Sequence, residues 1–274
     1  GFVYALNMAT QAIVTGSVRN AVVIGSETMS RVVDWTDRGT CILFGDGSGA
    51  VVLRGSEVPG GMLATTMRSD GSGGDLLSLP ALYHNPVPTL GPEYLGNGHK
   101  DNTIAMHGRQ IFRFASEVVQ SSIEDVAIKA NLTLDDIDLI IPHQANGRIL
   151  EHVAKKLKMP LHKFYSNVEW VGNTSAASIP LALCDAADNG RLKPDNNIIF
   201  VGFGGGLTWA SAAVKWDVTP PDVSMPDSEW RRTRYIIARG RSRWRKWRRR
   251  VGAKIAGSPT PDARLKDAIR RENE

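Results

Sequence analysis

Apolar residues open the chain at helical spacing. Phe2, Leu6, Ala9, Ile13 and Val14 keep a 3.6-residue period, and Gly16 supplies a stop. No capping residue precedes this helix, and a buried helix without a start signal implies an N-terminal part ahead of Gly1. The period then changes. Asn20–Ser26 is a short β-branched run that reads as a fully buried strand. Cys41–Phe44 reads as buried strand leading into the glycine turn GDGSG, with AVVLRG as the strand that follows. Asp70–Asn102, rich in Gly, Pro and Asn, predicts long surface loops. The spacing of Ile111, Phe112, Phe114, Ala115, Val118 and Val119 predicts a helix over about Gly108–Ala130. Thr133–Asp136 marks a turn before a buried strand, Ile137–Ile141. Helices are expected at Arg148–Lys158 and Asn173–Asn189, the second stopped by Gly190. Strands are expected at Asn197–Phe203 and Thr208–Asp217. Strands interleaved with helices indicate an α/β fold.

Composition changes this picture at the C-terminus. Residues 218–274 hold 16 Lys/Arg against 7 Asp/Glu, a net +9 within a whole-chain charge of +5, so residues 1–217 carry −4. An acidic body with a basic tail is not a basic protein, and nucleic acid is not an expected partner. Pro220–Pro226 reads as a linker. The segment 229–250, EWRRTRYIIARGRSRWRKWRRR, alternates Arg and Trp. It suits peripheral contact with an anionic membrane, or Trp stacking in nucleic acid, or an extension without a selected role. No apolar run is long enough to span a bilayer, and two cysteines suit a reducing, cytoplasmic setting. The six histidines show no HExxH or paired ligand spacing, so no metal is expected.

Three segments join a strand end, glycine and polar side chains: Ile140–Asn146 (IIPHQAN), Gly172–Pro180 (GNTSAASIP) and Phe203–Trp209 (FGGGLTW). A His, an Asn and a turn free of Cβ atoms can together hold a developing oxyanion or enolate. Taken alone, each has a plainer reading as a structural histidine, a helix start and a hairpin. GDGSG and GFGGG touch the dinucleotide pattern, but strand-like alternation follows each, where a dinucleotide site would open a helix.

Together with DRGT and FGDGSGA (Asp37–Ala50), these motifs resemble the β-ketoacyl-acyl carrier protein synthase III family of the thiolase superfamily, over about residues 1–217. The resemblance implies a thiolase-like α-β-α-β-α layered fold, incomplete at its N-terminus. Residues 1–60 would be the remainder of the N-terminal half, 61–217 the C-terminal half, and 218–274 the linker and tail. It implies a homodimer that takes an acyl-CoA primer and malonyl-acyl carrier protein, needs no cofactor beyond the CoA thioester substrate, and starts fatty-acid chains by decarboxylating condensation. Related polyketide-type priming, acyl transfer without condensation, or a non-catalytic dimerisation module are the alternatives.

By motif match, His143 and Asn173 would hold the malonyl thioester oxygen, and the Gly205 N–H would be one oxyanion donor. Arg38, Phe44, Met106, Gly108, Phe112 and Asn146 match CoA- or acyl-binding positions. Gln144, Ala145, Asn146, Gly147, Arg148, Lys155 and Lys156 match the carrier-protein surface, and His107 would alter the pocket mouth. The family's nucleophilic cysteine falls two positions before Gly1, so this chain alone is expected to be inactive. Cys41 and Cys184 read as small core residues.

Overall fold

The computed structural model describes residues 1–57, 59–79 and 103–218, with Trp244 and Trp247. Contacts divide the chain into Gly1–Thr219 and Pro220–Glu274. Apart from those two tryptophans, the basic segment 229–250 lies outside the described residues, as does most of the loop expected before Asn102.

Helix α1 spans Phe2–Val14, and Gly16 turns the chain at φ +74°. Only one stripe of its N-terminal half is buried (Phe2, Val3, Leu6 and Asn7), whereas Met8 and Val14 face out. Strand β1 (Asn20–Thr28) pairs antiparallel with β2 (Asp46–Arg54), from Asn20 opposite Arg54 to Thr28 opposite Asp46. Strand β1, expected to be fully buried, is covered on one face only. Val23 points inward, but Val22, Ile24 and Val52 are exposed on the other face. A β-branched run cannot by itself distinguish cover on two faces from cover on one. Cys41 sits in a turn, not a strand.

Then follow β3 (Gly61–Ser69), the short pair β4 (Leu77–Ser78) and β5 (Ala105–Met106), and helix α2 (Gly108–Lys129). Next come β6 (Leu139–Pro142), α3 (Gly147–Lys156), α4 (Val168–Val171), α5 (Ser178–Asp188), β7 (Asn197–Gly204) and β8 (Thr208–Lys215). The order β3-β8-β7-β6 makes one four-stranded sheet, in which β6–β7 is the parallel pair. Strand β3 was not expected, because GMLATTMRS alternates weakly. It forms by pairing along β8, Met67 opposite Ala210 and Thr66 opposite Ser211. The helix expected from Asn173 begins later: Ser175–Ala177 is a 3-10 turn, and α5 starts at Ser178.

The central sheet is covered on both faces, and its side chains divide by parity. Leu139, Ile141, Ile198, Phe200, Ala210 and Ala212 face a core shared with α1 and α5. Ile140, Ile199, Val201 and Ala213 face the opposite core under α2 and α3. Two-sided cover explains the near-continuous apolar runs of β6 and β7. Helices α1 and α5 also pack on β1–β2, so four layers of the expected α-β-α-β-α order lie among the described residues: β1–β2, α1 with α5, the four-stranded sheet, and α2 with α3.

The FGDGSG motif has a packing cause. Gly45, Gly47 and Gly49 recur at period two along one face, and Gly25 lies opposite Gly49. A Cβ on Gly25 would come within 2.2 Å of the Ala176 carbonyl oxygen, and one on Gly45 within 2.5 Å of that of Val171. Bare backbone lets the segment 171–181 lie directly on β1 and β2. That contact sets the position of Asn173.

Candidate active site

Strand β6 ends at Pro142 and delivers His143, whose backbone N–H donates to the Val201 carbonyl at 2.7 Å. The next residue fixes the loop from inside. Gln144, 1% exposed, donates from Nε2 to the carbonyls of Pro142 and Tyr165 and accepts from Asn167 N through Oε1. Its side chain is therefore an internal brace and offers nothing to a partner surface, a correction to its expected carrier-binding role. Asn146 caps α3, accepting from Arg148 N at 3.0 Å. Arg148, Lys155 and Lys156 are exposed on that helix, with Ala145 and Gly147 partly exposed at its start.

Asn173 is held from both sides of its peptide: its N–H donates to Leu43 at 2.8 Å, and its carbonyl accepts from Gly45 at 2.9 Å. Its side-chain Oδ1 accepts from Ser175 N at 3.0 Å, which leaves the Nδ2 donors without a partner among the described residues. Strand β7 ends at Gly204, and the Gly205 turn follows before β8. His143, Asn173, Gly204 and Gly205 line one cavity of about 270 Å³. Gly1, the N-cap of α1, lines the same cavity, so the positive end of a 13-residue helix points there.

The imidazole of His143 is largely enclosed. Nδ1 lies 2.6 Å from Ser178 Oγ, and the ring meets Phe203 edge-on at 5.0 Å and 77°. Burial holds its pKa down at about 4. At neutral pH it is an uncharged imidazole. A neutral imidazole N–H, a primary amide N–H₂ and a glycine N–H around one apolar-walled space can hold an oxygen that gains negative charge.

Of the expected acyl- and CoA-binding residues, Phe44 lines this cavity and bridges to Asn173. Met106 in β5, Gly108 at the start of α2, and Phe112 do not line it. Phe112 packs edge-on against His152 at 6.1 Å, between α2 and α3. Arg38 is exposed in a turn away from the cavity wall, and His107 is the exposed N-cap of α2. Cys184 is exposed on α5 and Cys41 partly so, which corrects their reading as core residues. Neither lines the cavity. Ser178, Glu27 and Trp209 also form the wall, and none was an expected site residue. Ser178 stood inside a recognised motif, but nothing in spacing alone marks which serine faces inward. Among the described residues no group of His, Cys, Asp or Glu could hold a metal, and no helix is long and apolar enough to cross a membrane.

Comparison with known proteins follows the same segments. The family model for 3-oxoacyl-(acyl-carrier-protein) synthase III matches residues 1–71, and the model for its C-terminal part matches residues 128–216. A β-ketoacyl-(acyl-carrier-protein) synthase III of Clostridium perfringens is 47% identical over 215 residues, 78% of this chain and 65% of the relative. The chain thus spans about 65% of the length of the curated relatives it matches. Among solved structures, 3-oxoacyl-(acyl-carrier-protein) synthase III of Aquifex aeolicus is 39% identical at a TM-score of 0.70, covering 79% of this chain and 64% of that one. The Pseudomonas aeruginosa enzyme of the same name is 38% identical at 0.72, covering 81% and 65%.

Proposed function

Because the chain belongs to the 3-oxoacyl-(acyl-carrier-protein) synthase III family, we propose that it carries the decarboxylating half of a condensing active site, with His143 and Asn173 as paired donors to a malonyl thioester. The observation that supports this most is the meeting of His143, Asn173, Gly205 and the N-terminus of α1 around one cavity.

In this reading the malonyl thioester carbonyl lies between the His143 ring and Asn173 Nδ2. The bond from the α-carbon to the carboxylate breaks, CO₂ leaves, and the electron pair moves into an enolate whose oxygen both donors hold. The enolate carbon attacks the carbonyl of an acyl group carried as a cysteine thioester. Gly205 N–H holds the tetrahedral oxyanion, which collapses to the 3-oxoacyl product and expels the thiolate. A histidine kept neutral by burial suits this task, since it stabilises charge by hydrogen bonding and does not change its own proton count.

The acyl-accepting cysteine stands ahead of Gly1 in this proposal. Support comes from Gly1 lying on the cavity wall, and from Cys41 and Cys184 lying off it. A thiol at that position would sit at the N-terminus of α1, where the helix favours the thiolate. The partners are an acyl-CoA primer and malonyl-acyl carrier protein, within a cytoplasmic homodimer, and the exposed cations of α3 (Arg148, Lys155, Lys156) would meet the acidic carrier. Incubation with radiolabelled acetyl-CoA tests the assignment of the nucleophile. Residues 1–274 alone should acquire no label, whereas the chain extended upstream through a cysteine should be labelled on it and yield 3-oxoacyl product with malonyl-acyl carrier protein. Label on Cys41 or Cys184 would overturn that assignment.

A further inference from the structure

Ser178 is 1% exposed, at the first position of α5. Its hydroxyl has one partner among the described residues, Nδ1 of His143, at 2.6 Å. We infer that Ser178 is a positioning residue that sets which ring nitrogen of His143 carries the proton. Two arrangements fit a contact between an imidazole nitrogen and a hydroxyl. In one, Ser178 donates to a bare Nδ1, and the imidazole proton sits on Nε2. In the other, Nδ1–H donates to Oγ, and the serine proton needs a second acceptor. No such acceptor is found among the described residues, and water has almost no access to Ser178. A buried hydroxyl proton without an acceptor is unfavourable enough to bias the tautomers by about tenfold or more. The serine therefore donates, and Nε2 keeps the proton.

The ring cannot easily answer by turning over. Phe203 meets it edge-on at 5.0 Å, and the backbone on either side is tied by His143 N to Val201 O and by the buried Gln144 brace. Ser178 is fixed in turn, because α5 enters directly over the glycine face of β1 and β2. The outcome is an Nε2–H donor, the form a thioester oxygen requires. That last consequence rests on the proposed condensing reaction, whereas the tautomer itself does not.

Nitrogen NMR of the 274-residue chain labelled at histidine reads the tautomer directly, with the His143 signal assigned as the one missing from H143Q. The wild-type protein should show a bare Nδ1 and a protonated Nε2. S178A should move the population toward Nδ1–H by about tenfold, and S178T, which keeps a hydroxyl, should restore the wild-type pattern. The other five histidines report whether each variant is folded. Nδ1–H in the wild-type protein overturns the inference, with no variant needed. A folded S178A with the wild-type tautomer also overturns it. If the tautomer is as stated but malonyl thioester is not decarboxylated, the functional reading fails and the positioning role stands.

Discussion

Two of the three sheets among the described residues, the four-stranded one and the β1–β2 pair, obey different packing rules. The four-stranded sheet has a core on each face, and Ile140, Ile141, Ile198 and Ile199 are all fully buried in it. The β1–β2 pair has α1 and α5 on one face and presents Val22, Ile24 and Val52 to solvent on the other. The cavity lies where the two meet. His143 and Gly205 come from strand ends of the fully covered sheet, while Asn173 is tied by backbone hydrogen bonds to Leu43 and Gly45, just ahead of β2. A site assembled in this way takes its rigidity from one sheet and its spacing from the other.

Substitutions can break that contrast. Ile199→Ala in the covered sheet should cost about 3 kcal/mol, through lost burial and a residual cavity. Ile24→Ala, at a side chain 64% exposed, should stay within about 0.5 kcal/mol. Urea unfolding of both variants measures the difference, and equal losses would mean that the outer face of β1–β2 is covered in solution.

Acid should act on the covered side of the site. Folding holds the His143 pKa down at about 4, from an ordinary 6.5, so the unfolded chain binds a proton that the folded chain refuses. Its contribution is complete above pH 6.5 and is lost as pH falls toward 4. The size is on the order of 3 kcal/mol, at about 1.4 kcal/mol for each pH unit. Unfolding curves between pH 7 and 4 should show this fall, and H143Q should flatten it. Asp46, Asp70 and Asp136, whose pKa values are lowered by hydrogen bonds from Ser30, Ser72 and Thr133, lose their contributions at lower pH, beneath that window.

The spacing between the sheets is open to a smaller test. Gly25→Ala puts a methyl against the Ala176 carbonyl, which is backbone and cannot step aside, so a loss of about 2 kcal/mol is expected. Amide chemical shifts should move around Asn173 more than around His143. Asn146→Ala, which removes only the cap of α3, should cost about 1 kcal/mol and leave both sets of shifts in place.

These features were unequally legible in the sequence. β6, β7 and α2 were readable because two-sided burial and helical period leave strong patterns in Leu139–Pro142, Ile198–Val201 and Ile111–Val126. β3 was not, because Thr65 and Thr66 pair with β8 and do not form an apolar run. His143, Asn173 and Gly205 were identifiable through linked motifs, and the structure does bring them to one cavity. Of the residues matched to acyl-binding positions, Phe44 lines this cavity and Met106 and Phe112 do not. Phe112 turns toward His152, and Met106 pairs with Leu77 in the short β4–β5 ladder. Gln144 shows the limit most clearly: a polar residue in a motif loop reads as a contact for a partner, yet here its amide is spent entirely on backbone groups within the fold.

Decarboxylation isolates the proposed enolate stabilisation by His143 and Asn173 from acyl transfer. Release of labelled CO₂ from malonyl-acyl carrier protein by the 274-residue chain should proceed without any acyl-CoA. It should fall by about 100-fold in H143A and in N173A, with both variants folded by urea unfolding. Release that is undiminished in folded H143A and N173A would mean that these two side chains do not hold the enolate.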